Sequence, residues 1–197
     1  MRSSLVAAII VLLLVLDSCK GKEQNANRQT AADKPNTAAQ TPVITPYPGE
    51  SGLQKSVTTN QQGQVSEEGD LLNGQKEGTW VTYHNSGLVA TVISYRNGKK
   101  HGFAMKADDT GSITERMFFM NDQLEGKRYL YNHTRVKEEA NYVNGKLDGE
   151  RKLFYDDGKV QEEGNFKNGK RDGVAKWYDQ QGNVTIEYTY KDGEKIE

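Results

Sequence analysis

The feature that most constrains this chain is a turn dipeptide that returns about every two dozen residues. Asn73-Gly74, Asn97-Gly98, Asn121-Asp122, Asn144-Gly145, Asn168-Gly169 and Asp192-Gly193 follow one another at intervals of 24, 24, 23, 24 and 24 residues. A second glycine trails the first five of these turns, at Gly78, Gly102, Gly126, Gly149 and Gly173. A third falls nine residues further on, at Gly87, Gly111, Gly158 and Gly182, and is missing only from the shortened copy around His133 and Thr134. Asn-Gly tolerates the positive φ that a tight hairpin turn demands. A unit of this length cannot bury a hydrophobic face alone, so its copies must lie against one another.

Aligning the copies on the third glycine exposes columns. Two residues on stand Val65, Val89, Ile113, Val136, Val160 and Val184; eight on stand Leu71, Tyr95, Phe119, Tyr142, Phe166 and Tyr190. These even offsets alternate with mostly polar odd ones, which is the period of a strand with one apolar face. At four residues on, Glu67, Glu115, Glu138 and Glu162 place a glutamate column on that same face. The segment after the second glycine is about five residues long and carries Tyr83, Tyr131, Phe154 and Tyr178, interrupted by Ala107, with Trp80 and Trp177 on the opposite parity. Each copy therefore reads as a short strand, a turn ending in glycine, a longer strand and an Asn-Gly turn. Proline is absent from the array, as strand interiors require. The fold class expected is all-β, built from tandem β-hairpins.

These residues resemble the MORN-repeat variant of the YwqK-like family of bacterial proteins, whose copies read roughly Gly-x-Trp-x-x-Tyr-x-x-x-Gly-x-x-x-x-Glu-x-x-Tyr-x-Asn-Gly-Lys-x-x-Gly. The likeness runs over about residues 63 to 197, with Ala107 and the lost glycine near Thr134 marking degenerate copies. It implies an elongated, twisted antiparallel sheet of successive hairpins. Some relatives are described as antitoxin components, which implies an alternative role in neutralising a partner toxin.

Three regions are expected: a lipoprotein signal over residues 1–19, a disordered tether over 20–56, and the repeat domain over 57–197. Arg2 and the twelve apolar residues Leu5 to Leu16 form a secretory signal too short to span a bilayer. Leu16-Asp17-Ser18-Cys19 resembles the bacterial lipobox, which implies acylation of Cys19, the one cysteine of the chain. Asp17 departs from the small or aliphatic residue usual at its place, so ordinary cleavage, or none, remains open. Lys20 after the cysteine implies export to the outer membrane in lipoproteins of this kind. The tether reading rests on a run rich in Asn, Gln, Thr and Ala that contains all four prolines and shows no hydrophobic period.

Residues 57–197 carry 20 basic against 23 acidic side chains, which gives no electrostatic case for nucleic acid. His84, His101 and His133 fall in different copies without metal-ligand spacing, and no nucleophile elbow or phosphate loop is present. Neither a cofactor nor an enzyme activity is expected. The aromatics Tyr83, Tyr131, Phe154, Tyr178, Trp80 and Trp177 are the candidate binding surface, with a packing seam between hairpins as the competing role. The expected function is a lipid-anchored cell-envelope scaffold that engages a protein or envelope polymer through one face of its sheet.

Overall fold

The computed structural model of the chain describes residues 40–196. Cys19, the apolar leader and residues 20–39 of the expected tether lie outside the described residues. The strands are β1 (Val43–Pro46), β2 (Leu53–Thr59), β3 (Val65–Leu72), β4 (Gln75–Tyr83), β5 (Val89–Arg96), β6 (Lys99–Ala107), β7 (Ile113–Met120) and the two-residue β8 (Gln123–Leu124). They continue as β9 (Gly126–Asn132), β10 (Arg135–Val143), β11 (Lys146–Phe154), β12 (Val160–Lys167), β13 (Lys170–Tyr178), β14 (Val184–Lys191) and the two-residue β15 (Glu194–Lys195). Spatial order follows chain order from β1 to β15, with only β8 set aside as a short partner of β7. The all-β hairpin architecture expected from the period is therefore the architecture observed, as one open antiparallel sheet.

Both residues of each turn dipeptide take positive φ: 51° and 85° at Asn168 and Gly169, 50° and 77° at Asn144 and Gly145. Asn73-Gly74 and Asn97-Gly98 do the same. Two successive positive values define the mirror-image turn whose twist matches the flanking strands. Alanine in place of Asn168 lacks the short polar side chain that eases this conformation, at a cost of about 1 kcal/mol. A lowered denaturation midpoint at unchanged slope is the expected result for Asn168→Ala.

The strand after each Asn-Gly turn is longer than the five residues expected, because it runs straight through the second glycine. Gly164 pairs with Ala175 and Phe166 with Arg171, so Asp172, Gly173 and Val174 together face Asn165 alone. The same excess sets His101 to Phe103 against Ser94, and Asp148 to Glu150 against Asn141. Gly173 adopts φ +112°, and a Cβ there would lie 3.4 Å from that of Asn165. The second glycine is thus a bulge residue inside a strand, where close approach and backbone freedom are both needed.

A second, one-residue bulge recurs near the start of the other strand of each copy. Thr82 pairs with Thr91 but Tyr83 with Val89, leaving Ala90 over; Trp177 pairs with Ile186 but Tyr178 with Val184, leaving Thr185 over. Thr185 donates its hydroxyl to the Trp177 carbonyl, and Ser66 and Thr114 donate in the same way at their own bulges. An extra residue reverses side-chain parity. The column Val65, Val89, Ile113, Val136, Val160 and Val184 was expected beside the glutamates, and it lies instead opposite Thr59, Tyr83, Ala107, Tyr131, Phe154 and Tyr178, on the tyrosine side.

The tether boundary also differs from expectation. Residues 43–46 and 53–59 are strands, and β2 pairs along the whole of β3, from Leu53 opposite Leu72 to Thr59 opposite Val65. Tyr47 donates its hydroxyl to Asp70, and the Asn73 amide donates to the Gly52 carbonyl. Prolines 42 and 46 do not prevent this, since Pro46 ends an outer strand where no amide is required. The sheet begins at Val43, not at residue 57.

Each strand touches mainly its sequence neighbours, so stability accumulates from local terms. The buried apolar residues are few and mostly small: Trp80, Ala104, Ala107, Met117, Ala140 and Ala175.

Candidate functional site

Register divides the side chains into two faces. One, the ladder face, carries Glu67, Trp80, Ile93, Tyr95, Ala104 and Met117, and on through Glu138, Arg151 and Glu162 to Trp177. The other, the tyrosine face, carries Glu68, Val81, Tyr83, Arg116, Phe118, Glu139, Glu163 and Tyr178. The aromatics expected to form one surface are therefore split. Tyr83, Tyr131, Phe154 and Tyr178 share the tyrosine face, whereas Trp80 and Trp177 belong to the ladder face.

The ladder face pairs most of its charges internally, with Nη1 of Arg171 left as a buried nitrogen that has no partner among the described residues. Lys106 Nζ lies 3.0 Å from Glu115, and Arg128 donates its Nε–H to the same carboxylate at 2.5 Å. Arg128 also reaches Glu138 at 3.8 Å, Arg151 donates to Glu138 at 3.0 Å and reaches Glu162 at 3.8 Å, and Arg171 closes the series on Glu162. Cations and glutamates thus alternate across the strands from Lys106 on β6 to Arg171 on β13. Glu115 is only 8% exposed. Burial pushes its carboxyl up, but the bonds and charges of Arg128 and Lys106 outweigh that and hold it below the ordinary glutamate range. At the two ends, cations cover the aromatics: Lys76 sits 3.8 Å above the Trp80 ring, and Arg171 lies over Phe166, Trp177 and Tyr190 at 5.1, 5.3 and 5.5 Å. The Trp80 indole N–H donates to the Asp70 carbonyl at 2.9 Å, and the residue is 4% exposed. It packs against the sheet.

On the tyrosine face, phenol and carboxylate are bonded in two of the copies. Tyr83 donates to Glu68 at 2.6 Å, with Lys55 on the same carboxylate at 2.9 Å. Tyr178 donates to Glu163 at 2.5 Å. In the copy where Phe154 has no hydroxyl, Glu139 pairs with Lys127 instead. In the third copy the acid is replaced by Arg116, which donates to the Tyr131 hydroxyl at 3.4 Å. The bond to Glu163, with burial second, pushes the Tyr178 phenol up to about 12. A raised phenol stabilises the fold below the unfolded value of about 10 and loses that contribution as pH rises through 12. Glu163→Gln is therefore expected to bring Tyr178 ionisation back toward 10, followed as phenolate absorbance during an alkaline titration, with Tyr178→Phe identifying the signal.

The same face is least regular at β6 and β7. Phe118 is 50% exposed and Met120 53%, and the Phe118 ring meets that of Phe103 edge-on at a centroid distance of 5.7 Å. Alongside, Ser112, Ile113, Arg116, Tyr131, His133 and Thr134 line an open hollow of about 290 Å³. His133 itself takes φ +55° in the turn that lacks its glycine. Among the described residues, no three of His, Cys, Asp and Glu converge as metal ligands.

An acidic column before the second glycine escapes a reading by hydrophobic period alone. Glu77 accepts the Asn97 amide, Glu125 that of Asn144, and Asp148 that of Asn168, so each of these acids holds the next Asn-Gly turn. At His101 the column fails, and Asp122 accepts the Lys100 amide instead. The signal was present in the sequence as an acid or its substitute immediately before Gly78, Gly126, Gly149 and Gly173.

Comparison with known families finds the MORN repeat variant at residues 147–168 and 171–192. Those two matches correspond to the hairpins β11–β12 and β13–β14, so the family unit is one hairpin around a Gly158-type or Gly182-type loop. No curated protein matches the chain.

Proposed function

We propose that this protein is a non-catalytic repeat scaffold, held at the cell envelope by a lipid on Cys19, that binds a protein or envelope component through one face of its sheet. The observation that carries the binding half is the asymmetry of the faces. The ladder face pairs its glutamates with arginines and lays cations over its tryptophans, leaving Ile186 exposed near its end, while the tyrosine face leaves Phe118 and Met120 side by side and half in solvent. Exposed apolar side chains grouped together mark interaction surfaces. The repeat supports a scaffold because nearest-neighbour stacking builds a long surface without an enclosed cavity. The anchoring half rests on the sequence around Cys19.

Two experiments test the halves separately. Radioactive palmitate is expected to label the native chain and not Cys19→Ser; no incorporation removes the anchor. Photo-crosslinking residues placed singly on each face of the full chain, in intact envelopes, are expected to trap a partner from the tyrosine face. Capture from neither face ends the scaffold reading. If the trapped species were a toxin whose activity the chain abolishes, the neutralising role implied by the family likeness would replace it.

A further inference from the structure

The most informative place on the molecule is where the repeat is broken in a way that packing does not explain. On the tyrosine face the column Glu68, Glu139, Glu163 and Glu187 is interrupted by Val92 in the second copy and reversed in charge to Arg116 in the third. The next position along the same row, polar in the other copies as Asp70, Ser94, Asn141, Asn165 and Thr189, becomes Phe118. Phe103 stands on the neighbouring strand directly opposite Phe118. An aromatic recruited for packing would be covered as Trp80 is, yet half of Phe118 is in solvent.

Charge points to what covers it. Each glutamate of the column has a lysine: Lys55 with Glu68, Lys127 with Glu139, Lys152 with Glu163 and Lys176 with Glu187. Arg116 has no carboxylate within ion-pair distance among the described residues, and its one side-chain bond is the long one to the Tyr131 hydroxyl. A guanidinium is built to take a carboxylate in a two-point grip, and among the described residues none fills that place. Residues two apart on a strand share a face at a spacing of roughly 7 Å. Arg116, Phe118 and Met120 therefore make a row of one cation followed by two apolar groups.

We propose that this row, with Phe103 beside it, is the docking surface of the scaffold, and that its occupant is a segment of another protein presenting a carboxylate to Arg116 and large apolar side chains to Phe118, Phe103 and Met120. This rests on the scaffold reading and names the partner chemistry of the same face. An anionic membrane fits less well, because the row offers a single unpaired cation, the lysines of the glutamate column being already held by their own carboxylates.

The test uses the full chain with a photo-crosslinking residue in place of Met120. The expected result is a crosslink to another protein from intact envelopes, and binding of a peptide from the crosslinked region to the purified chain. That binding is expected to weaken by about tenfold or more in Arg116→Glu and in Phe118→Ser, as for an anchor at the centre of an interface. Exchanging the peptide's acidic residue for lysine should restore binding to Arg116→Glu, which a merely structural role for Arg116 would not do. Both positions are exposed, and unchanged thermal melting of the variants shows that the fold is kept. A crosslink only to a second copy of the chain, or only to lipid, overturns the proposal, as does peptide binding indifferent to both substitutions. A partner trapped from other positions while Met120 stays silent overturns it too, but leaves the scaffold reading standing.

Discussion

Replacing Trp80 with alanine is expected to cost about 3 kcal/mol, the largest loss from any one truncation in the sheet, because it opens the main aromatic packing site of a molecule with few others. The indole lies flat on Gly69, so close that a Cβ on that glycine would fall 2.3 Å from the ring. Around it stand the edge of Tyr95 at 6.4 Å and the Lys76 ammonium, and its N–H donates to the Asp70 carbonyl. Gly69→Val should be nearly as damaging from the other side, since backbone and ring cannot both stay in place. In an array coupled only through neighbours the damage should be local. Hydrogen exchange is expected to quicken in β2 to β6 and to change little in β11 to β14. Uniform loss of protection would show that the sheet unfolds as one unit.

Removing Arg128 is expected to cost about 2 kcal/mol, because Glu115 is buried and would keep only Lys106, while Glu138 would keep only Arg151. Methionine is the informative replacement, since it keeps most of the side-chain volume and deletes the charge. The pH dependence has a definite sign. Glu115 titrates below its ordinary value in the fold, so its stabilisation is present above the unfolded value and is lost as pH falls through the folded one. In Arg128→Met the carboxyl loses its strongest partner and burial dominates, so the difference in stability between the variant and the native chain should shrink on acidification through the carboxylate range. Adding Glu115→Gln to Arg128→Met should recover part of the loss at neutral pH. If the deficit were the same at every pH, the ladder would be an arrangement of surface charges without thermodynamic weight.

Several elements of this molecule are legible without any coordinates. The interval between Asn73-Gly74 and its successors fixes the hairpins, and the φ values at those turns agree with what Asn-Gly chemistry demands. Alternation places Glu67, Glu115, Glu138 and Glu162 on one face with Tyr95 and Phe166, as the pairing confirms. Counting by twos then fails at one point in every copy, the one-residue bulge. A bulge adds residues without altering composition, so the valine column looked continuous with the glutamates and is in fact opposite the tyrosines. Likewise the segment around Leu53 to Thr59 is too polar to announce itself as a strand, and becomes one because β3 supplies a full edge for it to pair with.

What the chain of letters determined alone is the unit: its length, its turns, the strands between them and the order in which they are laid down, because those follow from backbone preferences acting over a few residues. Which side chains meet was settled only by the assembled sheet. The alternating run from Lys106 to Arg171 joins residues some sixty-five positions apart through strands that each contribute one group, and the glutamates equivalent to Arg116 are recognised as paired only once their lysines on neighbouring strands are in place. Ion pairing and burial depend on distance in space, and a bulge of one residue is enough to decide which face a side chain takes.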